Sequence, residues 1–220
     1  MDTKIFDEKY WTYYLELENE FKQIEKYIPI NKTNNKTFSY KYMKLLFSIC
    51  SEIDTIFKSF IKFNDENTKS INKLNIKDYR NFIKEKFKKF QNEIIIYKNK
   101  REIKPFEKLN SDKSPDWWHY YNNIKHTRCL LNENSFTENF KKANQINMLN
   151  ALAGLYQLET YYYYEIINKE NSEEIVTLPL PQSEYFRIKN WKGNIPLIDN
   201  RYMFKVEDNG DLYIYGDIYN

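Results

Sequence analysis

Residues 39–60, SYKYMKLLFSICSEIDTIFKSF, decide the fold. Ser39 has the chemistry of a helix N-cap, because its short hydroxyl can accept from a backbone N–H in the first turn. Behind it, Tyr42, Leu46, Ile49, Ile53, Phe57 and Phe60 recur at steps of three and four, the apolar stripe of an amphipathic helix. A stripe of that length must be buried against other helices. The chain supplies them on either side.

Upstream, Tyr10, Tyr14, Leu17, Phe21, Ile24 and Ile28 keep the same spacing until Pro29 stops the run. Downstream, Asn75 is a second cap, and Tyr79, Ile83, Phe87, Phe90, Ile94 and Tyr97 predict a third helix reaching Tyr97. Residues 98–112 are charged and aperiodic. Ser114, Pro115 and Asp116 then predict a fourth helix: a cap, a proline at the first helical position and an acid in the first turn. Ser135 and Glu138 have the spacing of a capping box, which predicts a long last helix from about residue 136 to 167 with Phe140, Leu149, Leu152, Ala153, Tyr156, Thr160 and Tyr163 on its apolar line. The expected architecture is mainly α, a bundle of about five helices over residues 1–170. Residues 171–220 form a small extended or β segment packed on or beside it, since TLPLPQ cannot continue a helix and tyrosine-rich runs flank Asp208-Asn209-Gly210 as in a β-hairpin.

Composition narrows the function. The 220 residues are 41% apolar and 18% aromatic, enough for one sizeable core. A net charge of +3, from 34 basic and 31 acidic residues, does not by itself announce nucleic acid, so any basic site is local. The richest stretch is 84–108, which reads first as a solvated helix face and second as a phosphate track. Cys50 and Cys129 have no metal or redox spacing and suit a reducing compartment. No window is apolar enough to span a membrane and no leader is visible, so the expected location is the cytoplasm. No Walker, dinucleotide, HExxH or nucleophile-elbow motif occurs, and no cofactor or metal is expected.

The chemistry concentrates in DWWHYYNNIKHTR, residues 116–128, which holds both histidines. On a helix His119, Asn122, Asn123 and His126 share one face, with Trp117, Tyr121, Ile124 and Arg128 on the next stripe. An imidazole can exchange a proton near neutral pH, and carboxamides can donate to phosphate oxygens, so the stripe is a candidate for handling a phosphodiester if it lines a cleft. Packing and solvation explain the same residues more plainly, Trp118 being a core residue before it is a base-stacking platform. Asp54 lies within a turn of the apolar line and needs a partner, for which Arg128, Lys125 and His126 are candidates. Asn147, Asn150 and Gly154 share a face of the last helix that permits close approach to the fourth helix or contact with nucleic acid.

WWHYYNNIKHTR (117–128), KKANQINMLNALAGLYQLETYY (141–162), YWTYYLELENEF (10–21) and the stretch quoted first together resemble bacterial helical proteins related to the HEPN superfamily, found in phage defence, abortive infection and toxin–antitoxin systems. The resemblance covers residues 10–164. It implies a homodimer that cleaves RNA without metal, with a partner protein supplied by a neighbouring gene. In that scheme His126 is the general acid or base, Arg128 or Lys125 stabilises the phosphorane, and Asn122 positions the phosphate. His119, Asn123, Trp118, Asp54, Asn147 and Asn150 supply binding. The family's arginine, separated from the histidine by four to six mostly polar residues, is missing here: no arginine stands at that distance before His126, Tyr120 and Tyr121 lying there instead. Arg128 lies about 200° round an ideal helix from His126. The ribonuclease is the leading reading, and the departure is the best support for the alternative, a non-catalytic interaction or dimerisation module of the same fold.

Overall fold

A computed structural model describes residues 1–68, 70–98, 100–130, 138–169 and 177–191, with the backbone alone of 202–206 and 212–217. The protein is mainly helical. Helix α1 (Thr3–Phe6) is capped by Asp2, whose side chain accepts from the Ile5 amide at 2.8 Å. It passes through a π-helical turn, Asp7–Trp11, into α2 (Thr12–Glu25). The wider turn brings two successive residues inward, so that Phe6, Tyr10, Trp11 and Tyr14 are all buried. Trp11 and Phe6 are thereby added to the stripe read from the sequence.

Helix α3 (Tyr40–Asn64) starts where expected: the Ser39 hydroxyl accepts from the Tyr42 amide at 3.0 Å, and all six residues of its stripe are fully buried. Its main partner is α6 (Gln145–Asn168), which begins later than the predicted residue 136. Ser135, the expected capping residue, lies outside the described residues. Asn139–Lys142 form a single 3-10 turn, and Asn144 caps α6 by accepting from the Asn147 amide at 3.1 Å. Residues 151–162 of α6 are buried on every side, as for a helix in the middle of a protein. Its buried polar groups are mostly matched. Gln145 donates to the Pro29 carbonyl and Gln157 to the Phe90 carbonyl, whereas the Gln157 side-chain oxygen and both carboxyl oxygens of Glu159 meet no partner among the described residues.

The third helix corrects the sequence reading. Helix α4 (Ile76–Lys86) has the predicted Asn75 cap, completed by Asp78, but it ends ten residues or so before Tyr97, with Phe87 at φ −131°. The β-branched run Ile94-Ile95-Ile96 prefers extended backbone. It forms β1 (Ile95–Tyr97), which pairs antiparallel with β2 (Arg101–Ile103) inside the stretch read as aperiodic. Phe90 keeps its place in the core from a short 3-10 turn, which is why the helical spacing misled.

Residues 177–191 return to the helices. Strand β3 (Phe186–Ile188) pairs with the free side of β1, giving the order β2-β1-β3, with Ile95 opposite both Ile103 and Ile188. Trp11 Nε1 donates to the Pro181 carbonyl at 2.9 Å, and Glu18 accepts from the Tyr185 amide and the Ser183 hydroxyl. Strands β4 (Tyr202–Val206) and β5 (Leu212–Asp217) pair antiparallel as a hairpin, and its expected Asp208-Asn209-Gly210 turn lies outside the described residues.

Candidate functional site

The DWWHYYNNIKHTR stretch forms α5 (Asp116–Thr127). Its start differs from expectation by one residue. Pro115, not Ser114, occupies the cap position and no side chain caps the helix; Asp116 in the first turn pairs instead with Lys108 at 2.5 Å.

The helix is anchored by its tryptophans. Trp117 is 2% exposed, donates its indole N–H to the Pro105 carbonyl at 3.0 Å and packs edge-on to Phe106. A β-carbon on Gly154 would come within 3.3 Å of the Trp117 ring and 3.4 Å of Phe106. The small-residue face of α6 therefore admits α5, the packing alternative of the two read from the sequence. Trp118 is buried against Tyr79 and Tyr121, so its ring offers no free face to a base. Asn147, also buried, donates to the Lys142 carbonyl, while Asn150 is half-buried.

With Trp117 and Ile124 fixing the inward side, His119 and His126 lie on the opposite, solvent-facing pole, about 180° away for His126 by the helical period. The polar stripe meets water. His119 and Asn123 bond each other at 3.1 Å, and Asn122 donates to the Trp118 carbonyl of its own helix at 3.0 Å, which engages one of the two amide hydrogens assigned to phosphate. His126 is exposed and takes no hydrogen bond among the described residues, with exposed Lys125 next to it. Arg128 is exposed at the helix end, where its carbonyl accepts from the Phe140 amide.

Asp54 does not reach any of them. Its carboxylate accepts from Tyr79 of α4 at 2.5 Å and from Lys58 of its own helix at 2.5 Å. Three partners offered by the sequence are thus replaced by two, one on α4 and one a turn further along α3 itself. The bond ties α3 to α4. Tyr79→Phe is expected to lower the unfolding free energy by about 1 to 2 kcal/mol, measured by urea titration.

Beside α5 the structure assembles something the sequence did not reveal. Backbone bonds from Ser39 to Ala143 and from Gln145 to Thr37 set Phe38 and Tyr40 against the Asn139–Lys142 turn. Tyr40, 66% exposed, stacks on Phe140 at 4.6 Å, and Phe38 meets Phe140 edge-on. Cations lie over neighbouring rings: Lys142 over Tyr120 at 4.9 Å, Lys125 over Tyr121 at 5.6 Å and Lys141 over Phe38 at 6.0 Å. The only hint in the sequence was that Phe38 and Tyr40 flank a cap and fall off the apolar stripe. Among the described residues no group of three or more acidic, histidine or cysteine side chains could hold a metal ion.

The fold and this surface define a mainly helical protein with a partly exposed band of cations and aromatic rings, and no helix among the described residues is long and apolar enough to cross a membrane. Searches against family models, curated proteins and solved structures return no match.

Proposed function

We propose that the protein contacts single-stranded RNA through the exposed end of α5, the Asn139–Lys142 turn and the Phe38–Tyr40 segment. The observation that carries this reading is the alternation of cations and rings, with three lysines over three aromatic faces beside the stacked Tyr40–Phe140 pair; Lys125, Lys141, Phe38 and Tyr40 are exposed and Lys142, Tyr120, Tyr121 and Phe140 half-buried. Single strands are held by such surfaces because phosphates are neutralised by cations while bases, each with a π face, stack on rings regardless of sequence. The resemblance to HEPN-related defence proteins supports the same partner. The role is non-catalytic: Asp54 and Asn122 are bonded elsewhere, and Arg128 lies far round the helix from His126.

A second reading, metal-independent cleavage across a homodimer, rests on His126 being exposed with Lys125 beside it. There His126 would move the proton of a ribose 2′-hydroxyl, with Arg128 or Lys125 of a second copy answering the charge.

A labelled single-stranded oligoribonucleotide in EDTA separates them. Binding that weakens with salt, and about tenfold or more on combining Lys125→Ala, Arg128→Ala and Lys142→Ala, is the expected result. His126→Ala should leave it unchanged. Cleavage lost in His126→Ala would transfer the assignment to the nuclease reading, and absence of binding by the wild type would sink both.

A further inference from the structure

The basic stretch 84–108 has a use apart from α5. Most of its cations are spent locally: Lys84 pairs with Asp112 at 2.6 Å, Lys86 with Glu165 at 3.1 Å, Lys98 with Glu25 at 2.6 Å and Lys108 with Asp116 at 2.5 Å. Lys88 and Lys89 are exposed and take no ion pair among the described residues. They stand at the mouth of a 590 Å³ cleft between the end of α4, α6 and the turn after β3. That volume lies in the range of small-molecule sites.

The walls are aromatic. Asn190, at φ +59°, reverses the chain after β3 and folds Trp191 back onto α6, where it meets Tyr161 at 5.1 Å and Tyr164 at 5.9 Å. Phe87 closes the far side against Tyr161 at 5.1 Å. Two groups give the cleft a chemical preference. The Trp191 indole N–H is shielded from solvent and has no acceptor among the described residues, so what this side chain offers a ligand is its ring. Three lysines, Lys88, Lys89 and Lys189, line the cleft against one carboxylate, Glu93, which is already held by the Tyr161 hydroxyl at 2.7 Å. Lys189 is shared with Glu102 at 2.6 Å, so Lys88 and Lys89 are the cations open to a ligand.

We infer that this cleft binds a nucleotide monophosphate unit, its base against the ring of Trp191 and its phosphate on Lys88 and Lys89. An aromatic ring and an anion are the two chemistries that the lining asks for together. The unit can be a free nucleotide or the phosphorylated end of an RNA strand, and the site lies on different elements from the α5 surface, so either proposal can fail alone.

Calorimetric titration of the full chain with adenosine 5′-monophosphate, adenosine, inorganic phosphate and 5′-phosphorylated hexa-adenylate tests it. Saturable binding of the monophosphate or the hexamer is expected, with adenosine and phosphate each weaker by about tenfold or more. Tighter binding of the hexamer than of the monophosphate, with the two competing, assigns the RNA end; the reverse order assigns the free nucleotide. Lys88→Ala with Lys89→Ala, both on the surface, should weaken binding about tenfold, and Trp191→Ala, which removes the ring, should also weaken it about tenfold. Failure of both the monophosphate and the hexamer to bind, adenosine binding as well as its monophosphate, or affinity unchanged in the lysine variant would each overturn the inference.

Discussion

Trp117→Ala is expected to lower the unfolding free energy by about 3 to 5 kcal/mol, the range for truncating a buried aromatic. The position leaves little room for relaxation. The indole is 2% exposed, its N–H satisfies the Pro105 carbonyl, and its ring lies over Gly154, which has no side chain to swing into the space. Both a transfer loss and an unfilled cavity follow. Chemical denaturation at pH 7 measures the change, and a loss below about 1 kcal/mol would mean that α5 is not anchored through this ring. Because the same contact sets where the outward pole of α5 points, Trp117→Phe should retain more RNA affinity than the alanine variant.

Glu159→Met is expected to act in the opposite direction, raising the unfolding free energy at pH 7 by about 1 to 3 kcal/mol, the usual penalty of an unmatched buried polar group. Glu159 is fully buried in α6 with neither oxygen bonded among the described residues. Burial pushes its carboxyl well above the ordinary value of 4.5, and the like charge of Glu52 on α3 adds to the effect. Burial also pushes Glu52 up to about 7. An acid that holds its proton more tightly folded than unfolded stabilises the fold fully below its unfolded value and loses that contribution as pH rises through the folded one. Wild-type stability should therefore fall from pH 4.5 upward, through about 7 for Glu52 and beyond it for Glu159. Methionine, close in length and without charge, removes the Glu159 share. Its gain should be larger at pH 8 than at pH 4.5, and an equal gain at the two would show that packing and not protonation is responsible.

Several elements were legible because a local cap agreed with a long period. Ser39 and the α3 stripe, and Asn75 at the head of α4, are cases where short-range chemistry and burial give one answer. The end of α4 was not, since Phe87, Phe90, Ile94 and Tyr97 continue a helical spacing while Ile94-Ile95-Ile96 prefers a strand, and only pairing with β2 and β3 decides between them. In the candidate site, the shared face of His119, Asn122, Asn123 and His126 followed from spacing alone. Which way that face points did not, because it depends on Trp117 meeting Gly154 from another helix. Asp54 was recognised as a carboxylate in need of a partner, yet Tyr79 was not foreseen, being itself counted as core. The cleft escaped notice for a similar reason: its decisive wall, Trp191, comes from beyond β3.

The pairing of β3 with β1 also sets a timetable for synthesis. A nascent chain emerging from the ribosome presents α2, α3 and β1 early, but the outer edge of β1 stays open and Glu18 stays without its Ser183 and Tyr185 donors until Ile188 has been made. An uncovered strand edge invites other strands. Folding of this body is therefore completed only once β3 has been made, and a chain stalled before β3 is the species most exposed to aggregation and to chaperones.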